Sequence, residues 1–264
     1  MYLYIKIMYS IPLVLSSSVN NGATEKSEDG STFTINLERP IIIPKEAKNC
    51  WIEIQSALVW NSVPNILTGV NDKFYFTYNL TPYILTLEKG QYDLEYLNIE
   101  INRQITSLGL PNNLILFRGD SATSKVVIEY LDANITIDFT QTDTFRELLG
   151  FNSQILSSAI VNFQKGDTTA RFNTINYFLI HSDLVNLGLR YNTQYRQIVS
   201  EVLIDVPAGS QIISRPYNIP KIPAPELIGT KRRRINVWIT DDLNNRVDTN
   251  GEDYSFRMTI NYVM

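Results

Sequence analysis

The chain of 264 residues has one cysteine, Cys50, and one histidine, His181, which together limit the nucleophilic and metal chemistry available to it. A thiol next to an imidazole can form a nucleophile and its base. Cys50, however, adjoins Trp51 at the start of a predicted strand, and His181 ends the apolar run 177–180, so we expect both to be structural. One imidazole and one thiol also supply too few ligands for a zinc site. We therefore predict no catalytic residue, no metal site and no cofactor.

A serine after a predicted strand is the next candidate nucleophile. Gly119-Asp120-Ser121 resembles the motif of GDS-type lipases. That chemistry needs an Asp-x-x-His pair late in the chain, but the residue three positions before His181 is Phe178. Without a base the hydroxyl of Ser121 is not activated, so a polar turn is favoured over an esterase site.

Carboxylates are numerous but scattered over predicted loops. The segment from Asp248 to Asp253 is rich in oxygen ligands, as calcium loops are, but it lacks the twelve-residue spacing of an EF-hand. Asn, Asp and Gly are also the residues that turns select. We expect a solvated turn around Asn250-Gly251.

Positive charge is concentrated in one run, Lys231, Arg232, Arg233 and Arg234, within a chain of net charge −4. The run could contact a genome through phosphates. No aromatic residues are interleaved with it, as single-stranded nucleic-acid binding would favour. An edge-protecting role on a strand, or an ion-pair contact with a subunit, is the favoured interpretation, and genome contact stays as the weaker alternative.

Residues 1–30 are predicted to form an N-terminal arm and linker. Met1–Leu15 is apolar, but Lys6 and Pro12 interrupt the apolar run that a signal peptide requires, and the segment is too short to span a bilayer. The alternatives are an arm that docks on a neighbouring subunit, or translation that starts at Met8. Single-cysteine usage favours a reducing compartment. The sequons at Asn79 and Asn134 matter only if the chain is secreted.

Strand patterns dominate the remainder of the chain. Phe33, Ile35 and Leu37 alternate with polar residues, and a longer strand follows up to Trp60. Pro40 is expected to break the run between them. Further strands are predicted at 73–78, 83–87, 114–117, 125–131, 135–139, 159–163, 175–181, 198–206, 234–240 and 254–263. The pair 125–131 and 135–139 is predicted to form a hairpin.

Helical periodicity occurs in one region. Apolar residues from Leu94 to Leu108 recur at steps of three and four, with Asp93 placed to cap the helix. Thr144 and Glu147 match a capping box for a second, short helix. We predict an α+β insertion over 90–151 within an antiparallel β-sandwich, most commonly a jelly roll, formed by 31–89 and 152–264.

A long loop is predicted between Val206 and Arg232. It contains five prolines, which favour extended, semi-rigid chain over disorder. Long ordered loops in a compact domain usually contact a partner. With no catalytic constellation, these features favour a structural or interaction protein over an enzyme.

Several of these patterns resemble penton-type minor capsid proteins of virophages and polinton-like viruses. The resemblance covers most of 31–263 and rests on strand and turn patterns. They are Ser31–Leu37 with Pro40–Pro44, the strand ending at Val63–Ile66, Gly90–Tyr92 before the helix with Ile101-Asn102, Leu148–Phe151, and Ile235–Asp241 with Asn250-Gly251 and Tyr254–Phe256.

The resemblance implies an upright jelly roll at the five-fold vertices of an icosahedral capsid. Five copies would form a homopentamer surrounded by hexamers of a double jelly-roll major capsid protein, with the insertion facing outward. The protein would then reside in the virion, assembled in the host cytoplasm, and would bind no small-molecule substrate. A receptor- or carbohydrate-binding β-sandwich, such as a viral spike or lectin-like module, is the alternative.

Overall fold

The computed structural model describes residues 7–159 and 162–264, which form two compact units. One unit is the chain up to Val63 together with Ile175–Met264, and the other is Pro64–Thr174. Within the described residues no helix is long and apolar enough to cross a membrane.

Strands make up most of the regular structure. In chain order they are β1 (Met8–Ser16), β2 (Ala23–Lys26), β3 (Thr32–Ile42), β4 (Asn49–Trp60), β5 (Lys73–Tyr78), β6 (Thr81–Thr86), β7 (Ile115–Asp120), β8 (Lys125–Tyr130), β9 (Ile135–Asp138), β10 (Ile155–Ser157), β11 (Phe163–Lys165), β12 (Tyr177–Ser182), β13 (Arg190–Tyr191), β14 (Gln194–Tyr195), β15 (Ile198–Leu203), β16 (Gln211–Ser214), β17 (Ile222–Pro223), β18 (Lys231–Thr240) and β19 (Ser255–Val263). The α-helices are α1 (Leu94–Ser107) and α2 (Arg146–Leu149).

Eight strands of the first unit pair in jelly-roll order. Taken in succession they are β1, β3, β4, β12, β15, β16, β18 and β19. The first pairs with the eighth, the second with the seventh, the third with the sixth and the fourth with the fifth, always antiparallel. Sheet I has the order β1-β19-β4-β16, and sheet II has the order β15-β12-β18-β3-β2. The predicted all-β antiparallel jelly roll is confirmed.

The core of the jelly roll lies between the inner faces of the two sheets. On β19 the inward residues Phe256, Met258 and Ile260 are buried, following the period of two that the sequence shows. Tyr254 is also fully buried, and its hydroxyl donates a hydrogen bond to the carbonyl of Ser31 at 2.9 Å. Burial raises the pKa of this phenol well above its usual range. A satisfied polar group is what allows tyrosine into an apolar core.

The prediction of an N-terminal arm over 1–30 is wrong for residues 7–30, the part of this segment that the structure describes. Met8–Ser16 is strand β1, which pairs along its whole length with β19 as an edge strand of sheet I. Leu15 is buried in the core, and Ile11 packs against it. Pro12 made the strand pattern of residues 8–16 hard to recognise in the sequence. An edge strand tolerates proline, however, because one side of its backbone needs no ladder partner. Residues 1–6 lie outside the described part.

Strand β3 does not end at Pro40, as the sequence predicts, but continues to Ile42. Asn36 lies opposite Arg234 of β18, whereas Ile41 lies opposite Arg232. Residues 37–40 therefore bulge out of the ladder, and the missing N–H of Pro40 costs no ladder hydrogen bond there.

The predicted loop between Val206 and Arg232 is partly regular. It contains β16, β17 and a 3-10 helix, Pro225–Leu227, and β16 is the sixth jelly-roll strand. With only four residues among many prolines, β16 is too short for its alternation to stand out, although Ile212 points inward and is buried.

The second unit is wider than the predicted insertion over 90–151. It includes β5 and β6, which the sequence assigned to the jelly roll, and its two sheets have the orders β10-β9-β5-β6 and β11-β8-β7. The predicted hairpin of β8 with β9 is wrong, because β8 pairs with β7 and β11 whereas β9 pairs with β5 and β10. The strand predicted at 159–163 falls partly on residues 160–161, outside the described part, and β11 begins at Phe163.

The core of the second unit is aromatic. The ring of Phe74 is 5.5 Å from that of Phe145, 5.7 Å from that of Phe117 and 6.2 Å from that of Phe139, measured between centroids. All four side chains are fully buried. Such a cluster concentrates apolar contact in a small unit.

The two helices differ in how well the sequence predicts them. Helix α1 begins as predicted, with the carboxylate of Asp93 accepting a hydrogen bond from the backbone N–H of Tyr96 at 2.8 Å. The capping box predicted for α2 is wrong, because Thr144 donates instead to the carbonyl of Gln141 and the helix starts after Phe145.

Candidate functional site

Cys50 lies on β4 and faces the core of the jelly roll, where it is buried. Burial, with a smaller contribution from the charge of Glu226, raises the pKa of its thiol to about 11. The group is therefore a neutral thiol at neutral pH and not a thiolate nucleophile. It packs as a small apolar side chain.

His181 lies on the outer side of sheet II, yet it is only 3% exposed. Its Nε2 is 2.9 Å from the hydroxyl of Thr240, and its ring stacks on Trp238 with centroids 5.2 Å apart. Burial, and then the positive charges of Arg246 and Arg196, lower the pKa of His181 to about 4. The imidazole is neutral at neutral pH and is held as part of a stack.

Replacing His181 with glutamine is expected to flatten the pH dependence of stability in mild acid. The unfolded chain takes up a proton as the pH falls through the ordinary imidazole pKa of 6.5, whereas the folded chain does so only near pH 4. The unfolded state binds more protons in that window, so the free energy of unfolding falls as the pH falls, by on the order of 3 kcal/mol. Urea unfolding of both proteins across this range measures the difference. Parallel pH profiles would contradict the expectation.

Ser121 lies in the exposed turn between β7 and β8 of the second unit. The neighbouring carboxylate, Asp120, pairs with Lys165 and accepts from the backbone N–H of Ala122, and these partners lower its pKa to about 2. Cys50 and His181 belong to the other unit, where they lie on different sheets. The described contacts assemble no nucleophile with a base.

The acidic segment before β19 forms a turn. Asp248 accepts a hydrogen bond from the backbone N–H of Asn250 at 2.8 Å, and Asn250 and Gly251 both have left-handed φ values, of 53° and 84°. Asp253 pairs with Lys26 at 2.6 Å. Across 7–159 and 162–264, no cluster of three or more His, Cys, Asp or Glu residues is arranged to hold a metal ion.

The basic run lies at the start of β18, next to the bulge of β3. Arg234 is neutralised by Glu25, with 2.8 Å between Nη2 and Oε2. Lys231 and Arg233 are exposed. Arg232 is half-buried, and its Nε is buried without a hydrogen-bond partner among the described residues. The run therefore divides into one ion-paired residue, one half-buried residue and two charges that face solvent.

The two sequons lie side by side in the second unit. Asn79 and Asn134 occupy exposed turns, and the backbone N–H of Asn79 donates to the carbonyl of Asn134 at 3.2 Å. Their glycosylation stays a prediction that depends on secretion.

Sheet I presents apolar side chains at both of its edges. At one edge, β1 carries no charged residue, and its Met8 and Val14 are exposed by 61% and 72%. At the other edge, Ile213 of β16 and Tyr217 just beyond it are exposed by 57% and 99%, followed by the partly exposed Ile219. We call these the β1 edge (Met8–Ser16) and the 213–219 edge. Strand β16 itself, like β1, carries no charged residue, although Arg215 lies just beyond it within the 213–219 edge. Edge strands without charges are prone to pair with other chains.

The edge strands of sheet II, in contrast, carry charged residues. Its edge strand β2 carries Glu25 and Lys26, each held in an ion pair with another part of the jelly roll. Its opposite edge strand, β15, carries Glu201 next to the exposed Leu203. The contrast singles out sheet I as the sheet whose edges are open to association. The sequence analysis did not predict either edge. The apolar residues between the prolines of 206–232 are the only sequence signal for the 213–219 edge, and the β1 edge has none.

No protein-family model matches the chain, and no curated protein sequence matches it significantly. Among solved structures, it is similar to the crystal structure of the mavirus penton protein, with 14% identity and a TM-score of 0.45, covering 96% of this chain and 100% of that one. It is also similar to a chain in the cryo-EM structure of the Sputnik virophage, with 12% identity and a TM-score of 0.40, covering 97% of each. Similarity at this level transfers no residue roles and no assembly to this chain. The first of these structures belongs to the class that the sequence patterns resemble.

Proposed function

We propose that this protein is a structural capsid subunit that assembles with copies of itself through the two edges of sheet I. The observation that carries the proposal is the strand order β1-β19-β4-β16, which places the β1 edge and the 213–219 edge at opposite ends of one sheet. Both ends expose apolar side chains. Two different surfaces on opposite sides of a subunit allow head-to-tail contacts, which close into a ring when the rotation is right.

The number of copies and the partners follow from the resemblance to penton-type proteins. The ring is a homopentamer at the five-fold vertex of an icosahedral virion, in contact with hexamers of a major capsid protein, and it assembles in the host cytoplasm. Of the basic run, Lys231 and Arg233 are the most available for a weak genome contact, because Arg234 is already paired with Glu25 and Arg232 is half-buried with its Nε enclosed. The role is structural rather than enzymatic, which the separate placements of Cys50, His181 and Ser121 support.

Light scattering during size exclusion tests the assembly. The wild-type chain is expected to run at five times its 30.2 kDa. Ile213→Glu and Met8→Glu each place a charge in one of the two edges, so each is expected to yield monomers, because a buried unpaired charge in an interface costs several kcal/mol. Leu203→Asp, at the edge of sheet II, is the matched control and should leave the ring intact.

A wild-type protein that stays monomeric at every concentration, alone and with a major capsid protein, would contradict the proposal. So would a ring that survives both edge substitutions but is broken by Leu203→Asp, since assembly would then use sheet II.

A receptor- or carbohydrate-binding β-sandwich is the second candidate function. One observation favours it: a depression lined by aromatic and polar side chains lies on the outer side of sheet II, over the stack of His181 and Trp238. Aromatic rings with convergent polar groups are typical of small-ligand sites.

A further inference from the structure

The depression on the outer side of sheet II has a volume of about 290 Å³. Its lining residues come from β12, β14 and β18 and from the segments that follow each of these strands. They are His181, Asn186, Tyr195, Arg196, Gln197, Trp238 and Asn244. This volume is at the small end for ligand pockets, so it suits a molecule of monosaccharide size rather than a nucleotide.

Arg196 gives the depression a positive charge, and no carboxylate within the described part of the chain forms an ion pair with it. Its guanidinium lies 6.0 Å from the ring centroid of Tyr191, and Nη2 is 3.5 Å from the side-chain oxygen of Gln194. Its Nε is buried and has no hydrogen-bond partner in the described chain. Because Nε is enclosed, a ligand in the depression can meet only the terminal N–H groups of this half-buried guanidinium. A carboxylate is the partner that satisfies such groups best.

A second guanidinium reinforces this charge. Arg246 lies 4.8 Å from the ring centroid of Trp238, on which His181 also stacks. Asp29 acts on Arg246 electrostatically, but no carboxylate of the described residues forms an ion pair with it. Glu226 touches the rim through the backbone N–H of Asn186. The depression is therefore lined by one arginine, Arg196, and by a neutral imidazole. Arg246 lies outside the lining but close enough to act electrostatically on His181, and no carboxylate of the described residues forms an ion pair with either arginine.

The other lining groups suit hydroxyls and an apolar sugar face. Asn186, Gln197 and Asn244 carry side-chain amides, each of which both donates and accepts hydrogen bonds, as a row of hydroxyls requires. Tyr195 is 59% exposed and offers a ring for stacking. A phosphate ion could accept hydrogen bonds from these amides and from Arg196, but it has no apolar face for the ring of Tyr195.

We propose that this depression binds a small carboxylated sugar, with Arg196 holding the carboxylate, the amides meeting the hydroxyls and Tyr195 packing against the ring. The proposal rests on the second candidate function, carbohydrate binding, and narrows it to an acidic sugar. It does not depend on the assembly function, because the site lies on sheet II, away from the two edges of sheet I, so sugar binding and assembly can fail separately.

Titration of the full-length protein with N-acetylneuraminic acid and with glucuronic acid, followed by saturation-transfer NMR and calorimetry, tests the proposal. Glucose and inorganic phosphate serve as the neutral and the non-sugar probes. At least one acidic sugar is expected to bind, and glucose and phosphate are expected to bind about tenfold more weakly or not at all. Arg196→Gln is expected to raise the Kd of the acidic sugar at least about tenfold, the loss of one charge-assisted hydrogen bond.

Arg233→Gln is the matched control, because it removes the same charge from an exposed position outside the depression. Its Kd should stay within about twofold of wild type. Equal weakening by both variants would mean attraction by overall charge and would overturn the proposal. No binding of either acidic sugar, or binding of phosphate as tight as that of the sugars, would also overturn it.

A second variant guards against misfolding of Arg196→Gln. Asn244 has a left-handed backbone, with a φ of 67°, which aspartate also tolerates, so Asn244→Asp should fold normally. Its added negative charge should repel the carboxylate and weaken the acidic sugar about tenfold at unchanged thermal stability. Unchanged affinity in this folded variant would overturn the proposed site.

Discussion

Leu15→Asp is expected to destabilise the jelly roll by at least about 4 kcal/mol, a large share of the stability of a typical domain. Leu15 is 1% exposed and packs in the core through the pairing of β1 with β19. The substitution removes a buried apolar side chain and places a carboxylate where no partner can satisfy it. Urea unfolding, followed by tryptophan fluorescence at a concentration where wild type and variant are both monomeric, measures the loss.

Leu203→Asp makes the same chemical change on β15, at a position that is 63% exposed. It should stay within about 0.5 kcal/mol of wild type. If residues 8–16 were instead a flexible arm, Leu15→Asp would be as mild as Leu203→Asp, and that equality would contradict the strand assignment of β1.

Phe74→Ala is expected to destabilise the second unit by about 3–5 kcal/mol. The ring is fully buried and contacts four other phenylalanines, so its loss leaves a cavity that these rigid neighbours cannot fill. Hydrogen exchange of the amides in β5 and α1, compared with those in β19, should locate the loss in Pro64–Thr174.

Phe163→Ala removes the same side chain from β11 in the same unit, where it is 58% exposed. The change in stability should be below about 1 kcal/mol. An equal loss from both variants would show that the aromatic cluster does not hold this unit together.

Local sequence patterns correctly predicted the strands and the helix whose burial pattern and capping depend only on neighbouring residues. β5 matches its prediction at 73–78, and β19 follows the alternation of Phe256, Met258 and Ile260. Asp93 caps α1 as the sequence indicates. In these segments burial, periodicity and capping are all set within a few residues, so they can be read without the fold.

Predictions failed where a distant partner decides the structure. The sequence predicts an arm around Pro12 and a break in the strand at Pro40, but an edge strand accommodates the first proline and a bulge the second. Thr144 was expected to cap α2, but it bonds to Gln141. Each of these outcomes depends on which other segment of the chain packs or pairs with the residue, and the local sequence does not specify that segment.

The candidate functional sites also differ in whether local sequence could predict them. The sequence made catalysis at Cys50, His181 and Ser121 improbable because it lacks the partners that each of them needs. It did not reveal the edges of sheet I, because an edge exists only once the order of strands is known. The depression over Trp238 likewise depends on residues that are far apart in sequence, such as Asn186 and Asn244.

An antiparallel β-sandwich with one substantial helix can be predicted from the amino-acid sequence alone, because alternation and helical periodicity are local consequences of side-chain burial. The place of residues 8–16 in the sandwich, the start of the second unit and the identity of the edge strands become visible only in the folded chain. They depend on sheet pairing, which joins residues as distant as Met8 and Val263. The cost of closing such long loops is recovered only when the whole core is buried, so no local pattern specifies the pairing.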